Sequence, residues 1–155
     1  MKTKILCFGK LKEKALLGLQ DQYLVRLRSL LEVSVTEIDS SKYSKLPENE
    51  LKKKECQLLL EKIEESDLLV LLDENGKELS SLDFATSLTK WQRSGKKNLV
   101  FALGGAFGWA SAAHDRADFV LALSKMTFTY QFARVALIEQ VYRAISINKG
   151  LPYHK

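Results

Sequence analysis

Two residue types that build metal centres are scarce in this chain of 155 residues. There are only two cysteines, Cys7 and Cys56, far apart in sequence. Neither belongs to a C-x-x-C pair or a zinc-type cluster. Cys7 falls in an apolar strand pattern and Cys56 in a helical one, which is where buried thiols sit. His114 and His154 are the only histidines. A histidine-rich metal site is thereby excluded, and no metal is expected. No apolar run approaches the ~20 residues of a membrane span. Ile5–Phe8 is too short for a signal-peptide core, and no cleavage pattern follows it. The expectation is a cytoplasmic, soluble protein with no membrane partner. No internal repeat or low-complexity segment is present.

What is present is an ordinary globular composition with 46% hydrophobic residues. A chain of this length buries about 68–70% of its unfolded surface, enough for one domain, 1–155. The net charge of +5 favours an anionic partner, because cationic side chains attract phosphate and release counterions. Charge alone does not decide for nucleic acid.

Taken in order, Lys4–Gly9 is an apolar run ended by glycine and reads as a strand buried on both faces. The basic loop Lys10–Lys14 follows. Leu16, Leu19, Tyr23, Leu27 and Leu30 recur at helical spacing. Val33–Ile38 is β-branched and reads as a strand. Ser40–Pro47 is a loop, and Glu48–Glu65 a helix whose acidic start suits the helix dipole. Lys52–Lys54 forms a charge run on it, a solvated face or an RNA contact. Asp67–Leu72 is a third strand, and Asp73–Gly76 a turn signal. Ser81 is expected to cap a helix ending near Ser94, with Gly95 as its stop. Asn98–Leu103 is a strand, Ser111–Arg116 a short helix and Phe119–Leu123 a fifth strand. Strands alternating with helices imply right-handed crossovers and a largely parallel sheet of five or six strands with helices on both faces.

Gln131–Ile147 forms the last helix. Leu137, Ile138, Val141, Tyr142, Ala144 and Ile145 share one broad side; Glu139, Arg143 and Ser146 share the other. Arg134 lands amid the apolar side and needs a partner, Glu139 or a carboxylate of another chain, since an unpaired buried charge is costly. The apolar side exceeds what one sheet can cover, which points to a homodimer. Phe107 and Trp109 belong to that interface or to the core.

Ligands of open parallel sheets bind outside the strands' carboxyl ends. Three such ends are unusual here: Leu72–Gly76, Gly104–Gly108 and Leu123–Phe128. Gly104–Gly108 allows close backbone approach, but it lacks the G-x-G-x-x-G spacing and the Lys-Ser/Thr of a P-loop. On the residues alone, a tight strand-to-helix turn is the favoured explanation. Leu72, Met126 and Phe128 are core filling as readily as pocket wall.

The segments LVLLDENGKELSS, FALGGAFGW, SKMTF, Gln131–Arg134, IEQVYRA and PYHK resemble the RlmH family. These are small bacterial SPOUT-class methyltransferases acting on a pseudouridine of large-subunit ribosomal RNA. The resemblance is close over the second half of the chain and general over the first. It implies the deep C-terminal trefoil knot of SPOUT proteins, S-adenosylmethionine as cofactor, methylation of N3 of a pseudouridine in 23S ribosomal RNA on the ribosome, and a homodimer. It puts Leu72, Gly104, Leu123, Ser124, Lys125, Met126, Thr127 and Phe128 against the cofactor. Arg134 would hold a phosphate or developing negative charge. His154 would accept a proton, and Tyr153 would stack on or hydrogen-bond the base. Two positions depart from the family. Tyr130 stands where many members have histidine, and tyrosine, with a reference pKa of about 10, is no neutral-pH base. Phe107 stands where a polar or acidic residue is frequent. Two other readings fit: a different SPOUT reaction, on ribose 2′-O or transfer RNA, and a ribosome-binding protein of the same fold without turnover.

Overall fold

The apolar runs form strands because both of their faces are covered. In the computed structural model, which describes residues 1–155, five parallel strands stand in the order β2-β1-β4-β3-β5. They are β1 (Lys2–Phe8), β2 (Val33–Ile38), β3 (Leu68–Glu78), β4 (Asn98–Leu103) and β5 (Phe119–Ala122). The helices are α1 (Lys14–Leu27), α2 (Glu48–Leu60), α3 (Ser81–Gln92), α4 (Ser111–Arg116) and α5 (Tyr130–Asn148). Alternation along each strand sorts the core into two layers. Ile5, Val70, Leu99 and Phe101 face α1, α3 and α5, with Leu27, Leu88, Leu137 and Val141 packed on them. Leu6, Phe8, Leu69, Leu71 and Val100 face α2 and α4, with Leu59, Cys56 and Ala113.

The connections obey one handedness. Passage from β1 to β2 and from β3 to β4 runs towards the β2 edge and uses α1 and α3 on one face. Passage from β2 to β3 and from β4 to β5 runs the other way and uses α2 and α4 on the opposite face. A uniform crossover hand requires that alternation. No helix is long and apolar enough to cross a membrane.

Four local expectations change. Asp73–Gly76 does not end β3: the strand pairs with β5 through Leu72↔Leu121, loops out over these four residues with Asp73 Oδ1 accepting the Asn75 N–H at 2.8 Å, and pairs again through Lys77↔Leu121 and Glu78↔Ala122. Gly76 is glycine because a Cβ there would lie 2.7 Å from the Leu121 backbone, not because a turn needs it. The cap of α3 is Ser80, whose hydroxyl accepts from the Asp83 N–H at 3.1 Å. α2 ends at Leu60 rather than Glu65. Ser146, on the polar side of the wheel, is fully buried and donates to the Tyr142 carbonyl at 2.8 Å.

Candidate functional site

β4, β3 and β5 are neighbours, so their carboxyl ends form one rim. Leu72 and Leu103 are register partners there, which puts Gly104 beside the bulge of β3. Trp109 joins the two. Its Nε1 donates to the Leu72 carbonyl at 2.9 Å, and a Cβ on Gly104 would lie 3.1 Å from its ring. Trp109 is 7% exposed and packs edge-on against Phe8, so it belongs to the core, whereas Phe107 is 48% exposed. At the same rim His114 Nε2 stands 3.3 Å from Asp73 Oδ2.

The loop between β5 and α5 crosses this rim. Glu78 Oε1 accepts the Lys125 N–H at 3.1 Å, and Glu74 Oε2 accepts the Thr127 hydroxyl at 2.8 Å. The bulged end of β3 is thus the support of the loop. Ser124 Oγ accepts the Met126 N–H at 2.9 Å, a local bond within the loop, and Met126 itself is 76% exposed. Beyond the loop, Thr129 caps α5 by accepting from the Phe132 N–H. Tyr130 then lies against Gly9 at the end of β1 and donates to the Lys10 carbonyl at 3.3 Å. Gln131 Oε1 accepts the N–H groups of Lys12 and Glu13, which fixes the basic loop to the start of α5.

A cavity of about 420 Å³ opens on the α1, α3 and α5 side. Leu123 and Phe128 line it with Leu79, Leu121 and Val135, and Ser81, Glu139 and Gln140 supply its polar groups. That size and mixture are typical of small-molecule sites. Leu72, Gly104 and Met126 lie outside it. The sequence-derived set therefore divides into a rim pair, a rim-crossing loop and two cavity residues.

Arg134 is where the helical wheel put it, at 5% exposure, but its partner is not Glu139. Its Nη1 donates to Glu37 Oε1 at 2.7 Å and its Nε to Gln20 Oε1 at 2.6 Å. Glu37 also accepts the Leu11 N–H at 3.1 Å. Burial pushes the Glu37 carboxyl up, but the bonds from Arg134 and Leu11 and the charge of Arg134 outweigh it, and the net shift is downward. Arg134 thus clamps α5 to α1, β2 and the basic loop.

Glu139 serves the tail instead. Its Oε1 accepts from Arg143 at 2.6 Å and from the Tyr153 hydroxyl at 2.8 Å. The Tyr153 oxygen is also 3.0 Å from that of Tyr23, and its ring packs edge-on against Tyr142. Burial, followed by the bonds to Tyr23 and Glu139, raises the Tyr153 pKa further above its ordinary value, so this phenol stays protonated. The tail is therefore anchored rather than frayed. His154 remains exposed, with Nδ1 3.3 Å from Arg143 Nη1.

The profile of the family described as "Predicted SPOUT methyltransferase" matches residues 1–154. The chain belongs to the SPOUT methyltransferase family. The α/β class with an all-parallel sheet is the fold that the sequence implied. The chain is 41% identical over 155 residues to the Ribosomal RNA large subunit methyltransferase H of Christiangramia forsetii, covering 99% of each chain. It is 41% identical over 154 residues to the protein of that name from Geobacter metallireducens, again covering 99% of each. The Enterococcus faecalis protein of that name is 38% identical over 159 residues, with both chains covered completely. Sequence reasoning missed Trp109, Glu74 and Glu78 as supports of this SPOUT rim. Their only signal was proximity in sequence to the glycine segment and to the β3 terminus.

Proposed function

We propose that this protein transfers a methyl group from S-adenosylmethionine to N3 of a pseudouridine in 23S ribosomal RNA, acting on the assembled ribosome. The observation that carries the reaction is the full-length likeness to relatives named for methylation of large-subunit ribosomal RNA. Support for its place comes from the rim. Leu72, Leu123 and Phe128 offer apolar surface, Gly104 offers half-exposed backbone, and Glu74 and Glu78 stand along the loop. Apolar walls beside carboxylates suit an amphiphilic cation. Leu72, Gly104 and the segment Leu123, Ser124, Lys125, Met126, Thr127 and Phe128 would hold it. Bound there, S-adenosylmethionine supplies a methyl group already activated by its positive sulfur.

The chain's own tasks are then orientation and proton removal. Tyr153 anchors the tail and offers its ring to the base. His154, the exposed imidazole of that tail, accepts the N3 proton. Arg134 acts at one remove, holding the start of α5 and the basic loop in place for an anionic substrate. Tyr130 holds the basic loop instead, its hydroxyl donating to the Lys10 carbonyl. A homodimer belongs to the same reading. Leu19, Phe128 and Phe132 flank the cavity at 38%, 37% and 48% exposure, and a second copy on this flank would cover them and bring its own tail to the rim. So does the C-terminal knot, supported by the bonds that tuck the loop after β5 against the far end of β3. The test is transfer of labelled methyl to intact ribosomes, free subunits and naked RNA. The reading expects label in pseudouridine of intact ribosomes, lost in His154→Ala. Label in ribose or in transfer RNA would mean a different SPOUT reaction, and no binding at millimolar cofactor would mean a protein without turnover.

A further inference from the structure

Glu55 is a carboxylate in an unusual place. It sits on α2 at 5% exposure, and burial raises its pKa. Nothing cationic offsets the burial: the groups that lower it are the Ser40 hydroxyl and the Gly105 N–H. Ser40 Oγ donates to Oε1 at 2.7 Å. Gly105 has no side chain because the carboxylate occupies its place; a Cβ there would lie 2.6 Å from Oε2 and 2.7 Å from Oε1. The glycine segment is thus held on two sides, by the Trp109 ring at Gly104 and by Glu55 at Gly105. The Gly105 carbonyl in turn accepts the Gly108 N–H at 3.2 Å, which closes the turn.

A buried, uncompensated carboxyl is costly, and an apolar residue would fill the same space more cheaply. Its carboxylate packs against the Gly105 backbone, in the space that a side chain there would take, while Ser40 fixes its orientation. We propose that Glu55 is a positioning residue that holds the Gly104–Gly108 loop in the shape that receives the methyl donor. The inference rests on the reading of that loop as a donor contact. Glu55 touches no substrate; it acts through its contact with the Gly105 backbone.

The test compares the wild type with Glu55→Ala, Glu55→Gln and Ser40→Ala, and with Leu88→Ala, which opens a cavity in the other core layer. Two properties are measured: amide hydrogen exchange of residues 104–108 in the ligand-free protein, and calorimetric Kd for S-adenosylmethionine. Steady-state KM for cofactor and for ribosomes is determined alongside. Glu55→Ala should speed exchange in the loop and weaken cofactor binding about tenfold, as expected for a loop that loses the carboxylate packed against it. The ribosome KM should hold within about twofold while the cofactor KM rises. Glu55→Gln keeps a carbonyl acceptor and should restore most of the affinity. Ser40→Ala should shift both readouts less, in the same direction. Leu88→Ala should lower stability and leave Kd unchanged. Wild-type exchange and Kd in Glu55→Ala would overturn the proposal, as would an equal loss of affinity in Leu88→Ala. If Glu55→Ala does not fold, failure of Glu55→Gln to restore the wild-type values, with Ser40→Ala silent, overturns it too. Wild-type protein that takes no S-adenosylmethionine refutes the donor reading, and the exchange data still decide separately whether Glu55 holds the loop.

Discussion

Replacing Glu37 by glutamine separates a structural clamp from a catalytic arginine. The change leaves the Arg134 guanidinium buried without its counter-charge. Breaking a fully buried pair costs about 3–5 kcal/mol, while an exposed pair is worth about 0.2–1 kcal/mol. The pair here is one-sided, with the Arg134 side chain 6% exposed and that of Glu37 36%. Solvent screening on the Glu37 side places the cost between those limits, at about 2 kcal/mol. For a chain of this length that is a fall in Tm of roughly 4–8 °C. Urea denaturation measures it directly, and a double-mutant cycle with Arg134→Met should give a coupling of about 1–2 kcal/mol. The pH dependence has a defined sign. The folded pKa of Glu37 is lowered, so its contribution is complete above the unfolded value of about 4.3. It is lost as pH falls through the folded value, and the gap between wild type and Glu37→Gln should close there. Activity supplies the refutation. The Glu37→Met, Arg134→Met pair should recover stability and much of the turnover, since apolar replacement of a buried pair is often neutral. If Glu37→Gln is as stable as wild type while Arg134→Met folds normally and is inert, Arg134 touches substrate and the clamp is the wrong account.

Three further outcomes follow from the rim and the core. Gly76→Ala forces a Cβ to within 2.7–2.8 Å of the β5 backbone and should cost about 1–3 kcal/mol or more, with faster exchange at the β3 extension and the loop that it supports. Trp109→Phe strands the Leu72 carbonyl and should cost about 1–3 kcal/mol in urea denaturation, and Trp109→Ala more. The Cys7 thiol, pushed up to about 12 chiefly by burial, should resist iodoacetamide at pH 8 in the native state and react fully in denaturant.

The sheet was legible because a parallel strand covered on both faces leaves an unbroken apolar run, as in Ile5–Phe8 and Leu68–Leu72. The rim was legible for the same reason: Gly104 and Asp73 mark where those runs stop. The β3 extension was not. Asp-Glu-Asn-Gly carries the composition of a turn, and only the approach of the β5 backbone to Gly76 shows why glycine is there. Periodicity recorded that Arg134 is buried but not by whom it is paired. Gln20 is 114 residues away and Glu37 is 97, and neither separation leaves a trace in local pattern. The nearby acid, Glu139, was the natural choice by helical spacing, yet Arg143 and Tyr153 hold it.

These partners share a physical role that explains their invisibility. Loop segments at a sheet rim have few apolar contacts, so their shape must come from hydrogen bonds to side chains on other elements. Glu74 and Glu78 hold the loop after β5, Glu37 receives Leu11, Gln131 fixes Lys12 and Glu13, and Glu55 faces Gly105. Of these five supports, four are glutamates whose acceptor oxygens meet backbone or hydroxyl donors of rim segments. In a chain of net charge +5 they keep acceptors where loops need shape and leave lysines outward. If that division holds, replacing these glutamates should loosen the rim while leaving the sheet intact. Replacing the exposed Lys53 and Lys54 should instead weaken salt-dependent binding of the proposed RNA substrate while leaving amide exchange at the rim unchanged.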